Sequence, residues 1–326
     1  MAAPKLGEFE RIARFFAPLA APEGLGLLDD VAIIPGPPGE QYVLKTDAIV
    51  EGVHFRSEDP ADQVAQKLLR VNLSDLAGKG AVPVGYLLTT ALPRECDEAW
   101  LERFAEGLAR DQKEFGIGLL GGDSVATTGP VTLSVAAVGR VRAGEAVLRK
   151  GARPGDAVFV SGTLGDGALG LSALRGELPA LTETQRDFLA DRYRLPRPRL
   201  QLGRRLIGTA RAMMDISDGL IADLGHICEA SSVGAVVEAA RLPLSAAARA
   251  AIAADAAHLG AALAGGDDYE LLFTAPADTA AGIAAIARET AVPVTAIGRI
   301  ERGNGVRVVD EQGAQIAMTD AGYRHF

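Results

Sequence analysis

The chain has 326 residues, more than one hydrophobic core comfortably serves, so length favours two domains of roughly 150 residues each. An apolar share of 48% and a charged share of 23% are those of an ordinary globular protein and exclude a disordered chain or a disulfide scaffold. A formal net charge of −9, without any block of Lys and Arg, argues against nucleic acid or anionic membrane as a partner and for a small molecule.

Cys96 and Cys228 are the only cysteines and lie far apart, which suits a reducing compartment and sets aside zinc and thiol chemistry. Glu8 and Glu10 interrupt the N-terminal segment, so it lacks the apolar run of a signal peptide, and no stretch is long enough to span a bilayer. A cytoplasmic protein is expected.

In chain order, residues 8 to 17 predict a short amphipathic helix, and VAIIP and YVLKTD predict strands, with Asp30 before the first and Asp47 ending the second. After Pro60, Val64, Leu68, Val71 and Leu76 share one helical face, and Asn72 and Asp75, three apart, share a side. GYLLTTALP predicts a strand, WLERFAEGLARDQKEFG a helix, IGLLGGDS a strand stopping at a glycine pair before Asp123, and VTLSVAAVGRV another strand. Gly151, Pro154 and Gly155 break the pattern and mark the domain boundary. Strand DAVFVSG, a glycine-rich turn and helices follow; MMDISDGL opens helix IADLGHICEA, then come strand AVVEA, AGGDDYELLF, a helix and further strands. Neither half alternates strand and helix strictly, which predicts two α+β domains, residues 1–148 and 149–326.

Aspartates stand beside glycine, serine, threonine or the end of an apolar run at Asp30, Asp47, Asp75, Asp123, Asp215 and Asp218. Magnesium prefers oxygen ligands and is usually held by a few carboxylates plus substrate phosphates, so the pattern points to a nucleotide polyphosphate. There is no Gly-x-x-x-x-Gly-Lys-Ser/Thr loop and no protein-kinase motif set. Gly165, Gly167 and Gly170 follow a strand and open a helix, but a helical pattern comes next where a dinucleotide fold needs a strand, so a tight turn explains them better. Taken singly, Asp215-Ile-Ser-Asp218-Gly reads equally as a helix cap, Asp75 as a solvated helix residue and Asp30 as a turn residue. Gly121-Gly122 before Asp123 lets backbone approach a phosphate, and Thr46 beside Asp47 pairs hydroxyl with carboxylate. His54 reads either as a strand-end cap or as a donor to an anionic substrate, and Arg149 either as a surface residue or as a phosphate clamp. The run from Gly265 to Glu270 is an acidic turn or a receiver for a cationic group.

GEFERIARFF, LDDVAII, KTDAIVEGVHF, VNLSDLAGKGA, GGDS, MMDISDGLIADLGHI, AGGDDYELLF and the terminal GYRHF come in the order found in a known family. Through them the chain resembles the two-domain ATP-binding superfamily of aminoimidazole ribonucleotide synthetase and selenophosphate synthetase, and within it the thiamine-monophosphate kinase family. The resemblance covers nearly the whole chain. It implies two domains of the aminoimidazole ribonucleotide synthetase type in a homodimer paired through the N-terminal sheets. It also implies transfer of the γ-phosphoryl of ATP to thiamine monophosphate, the last step of thiamine diphosphate biosynthesis, with several magnesium ions.

Carried over by position, Asp30, Thr46, Asp47, Asp75, Asp123, Asp215 and Asp218 match magnesium ligands; Gly122, Arg149 and Ser217 match ATP contacts; and His54 and Asp267 match substrate contacts. Asp75, Asp123, Asp218 and Arg149 are the expected catalytic groups. The resemblance also shows departures. Leu28 stands before Asp29-Asp30 in place of a usual glycine. Lys45 stands at a metal-ligand position where the family often has Ser or Thr, which implies fewer bound ions. Asp267 replaces a more usual Glu, and Asp320 replaces an aromatic residue at the substrate. The alternatives are another ATP-dependent member of the superfamily and a nucleotide-binding dimer without turnover. No reactive N-terminal cysteine supports selenophosphate synthesis.

Overall fold

The computed structural model describes residues 7–316 and Gly322. A short helix α1 (Glu8–Arg11) continues as a wider turn through Phe16, and Phe9, Phe15 and Phe16 are exposed. Then follow β1 (Ala32–Pro35), β2 (Glu40–Val50), α2 (Ala61–Gly78), β3 (Val82–Pro93), α3 (Glu98–Phe115), β4 (Gly118–Thr127) and β5 (Thr132–Arg142). These strands form one sheet in the order β1-β2-β5-β3-β4, antiparallel except for β3 and β4, which α3 connects as a parallel crossover.

The remaining chain supplies β6 (Asp156–Ser161), α4 (Asp166–Leu174), α5 (Glu183–Arg194), α6 (Leu200–Leu206), β7 (Ala212–Asp215), α7 (Leu220–Ser231) and β8 (Gly234–Glu238). It ends with α8 (Ala246–Ala254), α9 (Leu259–Ala264), β9 (Leu271–Pro276), α10 (Ala280–Thr290), β10 (Val294–Glu301) and β11 (Gly305–Val309). Its sheet runs β11-β8-β10-β6-β9-β7, with β11 parallel to β8 and the other pairings antiparallel. The two sheets therefore lie on either side of the Gly151-Pro154-Gly155 break.

Helix α2 departs most from its sequence pattern. One apolar face was expected, yet every residue from Val64 to Gly78 is buried. One side of the helix covers β2 and β5, and the other meets α6, β7 and β9 of the second half. At its C-terminal end a Cβ on Gly78 would lie 3.2 Å from Met214 Cα, so the helix packs directly on the backbone of β7. Burial forces its polar residues to find partners, since an unpaired buried charge is costly. Arg70 accordingly grips Asp111 of α3 through two bonds, Nε to Oδ2 at 2.7 Å and Nη2 to Oδ1 at 2.9 Å, while Gln66 Nε2 donates to Oδ1 at 2.7 Å.

Strand β4 also differs from expectation. It runs through Gly121-Gly122 to Thr127 instead of stopping there, because β3 pairs along it up to Pro93. A Cβ on Gly122 would stand 1.8 Å from the Leu88 carbonyl oxygen, which explains the glycine as a requirement of strand packing. Asp47 lies inside β2, not at its end.

Candidate active site

Lys45 and Asp47, two apart on β2, point to the same side of the strand, toward α2. The Lys45 ammonium lies 3.0 Å from Asp47 Oδ1 and 3.1 Å from Asp75 Oδ2 on α2. Asn72, on the same side of α2 as Asp75, accepts the Asp47 backbone N–H at 3.0 Å. The shared side expected for Asn72 and Asp75 is thus what joins α2 to β2. Burial alone would lower the Lys45 pKa, but the charges of Asp75, Asp47, Asp30 and Asp215 raise it well above the ordinary value. Asp75 is raised first by burial, against the pull of Lys45, and further by Asp215, Asp47 and Asp30.

Asp30 enters from the loop before β1. Lys79, fully buried between Gly78 and Gly80, reaches Asp29 at 2.8 Å and Asp30 at 3.2 Å and donates to the Met213 carbonyl at 3.3 Å. Arg149 grips both Asp30 oxygens, its Nε lying 2.9 Å from Oδ2, and its backbone N–H donates to Asp29 at 2.9 Å. Burial pushes Asp30 up, but Lys79, Arg149 and Lys45 outweigh it and hold the carboxyl well below its usual range. Asp215, at the end of β7, makes no ion pair among the described residues and is pushed up to about 6, by burial and then by the charge of Asp30.

The loop after β7 joins a second cluster to the first. Asp267 N–H donates to the Ser217 carbonyl at 2.9 Å and Tyr269 N–H to that of Ile216 at 2.8 Å, so the Asp218 and Asp267 segments lie side by side. Neither Ser217 nor Asp218 caps α7. Its N-cap is Gly219, and Asp223 Oδ2 accepts the backbone N–H groups of Ser217, Asp218 and Gly219 at 3.0, 3.2 and 3.1 Å. Asp267 and Tyr269 both take positive φ, +70° and +51°, strained for residues with a side chain. Asp267 Oδ1 accepts the Tyr269 hydroxyl at 3.0 Å, and its Oδ2 lies 2.9 Å from the Lys67 ammonium. Lys67 also donates to the His54 carbonyl at 2.9 Å and sits 3.6 Å over the Tyr193 ring. His54 Nδ1 accepts the Val50 N–H at 3.1 Å, a strand-end cap that leaves the ring proton on Nε2. Tyr269 is tied by its backbone to Ile216, the neighbour of Asp215, and by its hydroxyl to Asp267, so it joins the two clusters; burial, then the charges of Asp267, Asp47 and Asp215, raise its pKa well above the ordinary value.

Other expected residues lie apart. Thr46 faces the opposite side of β2 and donates to the Val135 carbonyl at 3.0 Å. Asp47 pairs with Val135, which pairs with Leu88, which pairs with Gly122. The Gly122-Asp123 segment is therefore three strand spacings from Asp47, about 14 Å. Asp123 is exposed there and accepts its neighbour Ser124's N–H at 2.9 Å. Asp320 lies outside the described residues.

Among the described residues, no three carboxylate, imidazole or thiolate groups are set as a ready metal cage, and Lys45, Lys79 and Arg149 occupy the carboxylates. The donor chemistry still suits magnesium. All candidates are oxygen ligands, and the mutual repulsion of Asp75, Asp215 and Asp30 is what a divalent cation would relieve.

Reading the sequence alone missed Lys67, Lys79, Tyr193 and Asp223, and took Asp268 only as part of the acidic run from Gly265 to Glu270. For Lys79 the one available signal was a lysine between two glycines at a helix end. Asp268 accepts the N–H groups of Gly165 and Gly167 at 2.7 and 3.1 Å, so a carboxylate of the chain itself fills the glycine-rich turn. Burial pushes Asp268 up to about 8 despite those two bonds. Its folded pKa exceeds the unfolded value, so the native state binds more protons between about pH 4 and 8 and stability falls as pH rises through that window. Denaturant midpoints measured from pH 5 to 8 are expected to decline, with a shallower slope in Asp268→Asn.

Two family models match, AIR synthase related protein, N-terminal domain, over residues 28–141, and its C-terminal domain over residues 153–311. The thiamine-monophosphate kinase of Caulobacter vibrioides is 42% identical over 323 residues, covering 98% of this chain and 90% of the relative. That of Salmonella typhimurium is 40% identical, with 98% of each chain covered. Among solved structures, AaThiL complexed with AMPPCP and TMP superposes with a TM-score of 0.86 at 33% identity, covering 100% of this chain and 99% of that one. The kinase of Stenotrophomonas maltophilia gives 0.78 at 43% identity, covering 86% and 89%. With this coverage in sequence and fold, the chain belongs to the thiamine-monophosphate kinase family of AIR synthase related proteins.

Proposed function

We propose that the chain transfers the γ-phosphoryl of ATP to thiamine monophosphate, giving ADP and thiamine diphosphate, by direct in-line transfer between the two bound substrates. The observation that carries this reading is the adjacency of two clusters. A carboxylate set, Asp75 and Asp215 buried and Asp30 and Asp47 partly so, is linked through Tyr269, bonded to Ile216 and to Asp267, to the His54, Lys67 and Asp267 group. The first suits a polyphosphate with its metal, and the second suits the acceptor.

In this reading Asp30, Asp47, Asp75 and Asp215 would hold magnesium beside Asp218, while Thr46, on the other face of β2, and Asp123, three strands away, would serve a separate ion. Bound magnesium draws negative charge from the phosphoryl oxygens. Arg149, held by Asp30, turns toward the nucleotide phosphates, and Gly122 and Ser217 contact ATP through backbone and hydroxyl. His54, Asp267 and Asp320 contact thiamine monophosphate. The attacking phosphate oxygen is already anionic, so no general base is needed. Residues 1–148 supply most of the metal site and residues 149–326 complete it.

Val84 and Leu87 on β3, with Leu119, Leu120 and Val125 on β4, leave exposed apolar side chains on two strands of the first sheet, which supports a homodimer paired through these sheets. No helix among the described residues is long and apolar enough to cross a membrane. The free cysteines Cys96 and Cys228 support a place in the cytoplasm.

The test is thiamine diphosphate formation from thiamine monophosphate, ATP and magnesium. Product from the monophosphate and none from unphosphorylated thiamine is expected; ATP binding without product would favour a non-catalytic dimer. Rapid mixing with γ-labelled ATP and no acceptor should leave the protein unlabelled, and a covalent label would rule out direct transfer.

A further inference from the structure

The carboxylate cluster already contains cations of its own. Asp29 and Asp30 are balanced by Lys79 and Arg149 on one side. On the other, the Lys45 ammonium bridges Asp47 and Asp75, two carboxylates carried by different elements, a strand and a helix. Lys45 is 13% exposed and Asp75 6%, while Asp47 is 37% exposed, so the bridge is shielded on its Asp75 side and meets solvent at Asp47. Asp29, Asp30, Asp47, Asp75 and Asp215 face three built-in cations: Lys79 and Arg149 neutralise Asp29 and Asp30, while one negative charge is left on the Lys45-Asp47-Asp75 group and one on Asp215, together enough for about one divalent ion. An ion entering between Asp47 and Asp75 would have to expel an ammonium from its only two ion-pair partners among the described residues.

We propose that Lys45 is a resident cation that stays between Asp47 and Asp75 while nucleotide binds and takes the place of one divalent metal ion. The chain then binds one ion fewer with its nucleotide than it would with a hydroxyl side chain at position 45. The inference rests on the kinase reading for the identity of the ligands. Its chemistry is electrostatic: one ammonium pairs with both carboxylates and brings a single positive charge, where a metal would give two charges and a coordination shell open to phosphate.

The test counts bound Mn2+, a magnesium surrogate with a paramagnetic signal from the free ion, on the full chain saturated with a non-hydrolysable ATP analogue. Lys45→Ser is expected to bind one more Mn2+ per chain than the wild type, and Lys45→Arg the same number as the wild type. Equal counts in the wild type and folded Lys45→Ser would overturn the proposal. Should Lys45→Ser fail to fold, a second readout needs no variant: the Lys45 side-chain ammonium, followed by 15N NMR in the wild type, keeps its ion-paired signal when magnesium and the analogue are added. Loss of that signal would overturn the proposal. Failure of the wild type to bind Mn2+ with the analogue at all would count against the kinase reading itself, an outcome distinct from an unchanged count.

Discussion

Asp111→Ala will lower the melting temperature by roughly 10 °C, on a cost of about 3–5 kcal/mol for breaking a buried pair and a few degrees per kcal/mol in a chain of this size. Asp111 is completely buried and accepts three bonds, two from Arg70 and one from Gln66. Truncation leaves the Arg70 guanidinium with the Pro196 carbonyl at 3.2 Å and the half-exposed Glu114 at 3.1 Å, neither able to replace a bidentate carboxylate. The cost arises from the stranded charge more than from the lost attraction. Replacing both partners, Arg70→Met with Asp111→Leu, is therefore expected to recover most of the loss in a thermal melt. A double variant as unstable as the single one would show that the bond geometry itself holds α2 against α3.

Asp75→Asn has its largest effect on activity, a fall in kcat/KM on the order of 10²–10³, the scale seen when one charge-stabilising group is removed from an active site. Stability should move the other way or not at all. Asp75 sits among Asp30, Asp47 and Asp215, whose charges raise its pKa, so a neutral amide relieves repulsion while Lys45 keeps Asp47. Steady-state kinetics and a melt on the same preparation check both halves. If activity and melting temperature fell together, Asp75 would act by holding the fold and not at the reacting groups.

Much of this arrangement was legible in the sequence, but unevenly. The strands and helices came through where apolar period and turn residues agree, as in WLERFAEGLARDQKEFG and VTLSVAAVGRV. The aspartates on either side of the cluster were visible because each stands by a turn or strand. Helix α2 was misread as one-sided because Lys67, Arg70, Asn72 and Asp75 look like a solvated face. Their partners Asp267, Asp111 and Asp47 are distant in sequence and leave no local trace. Of the two readings of His54, the structure bears on the strand-end cap. Its ring caps the end of β2, a local contact that spacing could suggest, while its carbonyl meets Lys67 and Tyr193 from elsewhere in the chain. The place of Asp123 was hidden for another reason: strand order, not strand identity, sets it three strands from Asp47.

The two-sided burial of α2 bears on how the chain is made. Its first covering, β2 and β5, emerges from the ribosome early, whereas α6, β7 and β9 follow about 120 to 200 residues after the helix, a delay of roughly 6–40 s at ordinary rates of synthesis. During that interval a nascent chain presents a greasy flank bearing Leu, Val and Ala together with charged groups awaiting their counterparts. Such a flank is a natural docking point for a chaperone at the exit tunnel, and a stalled or truncated product ending before β9 would be an aggregating species rather than a small independent domain.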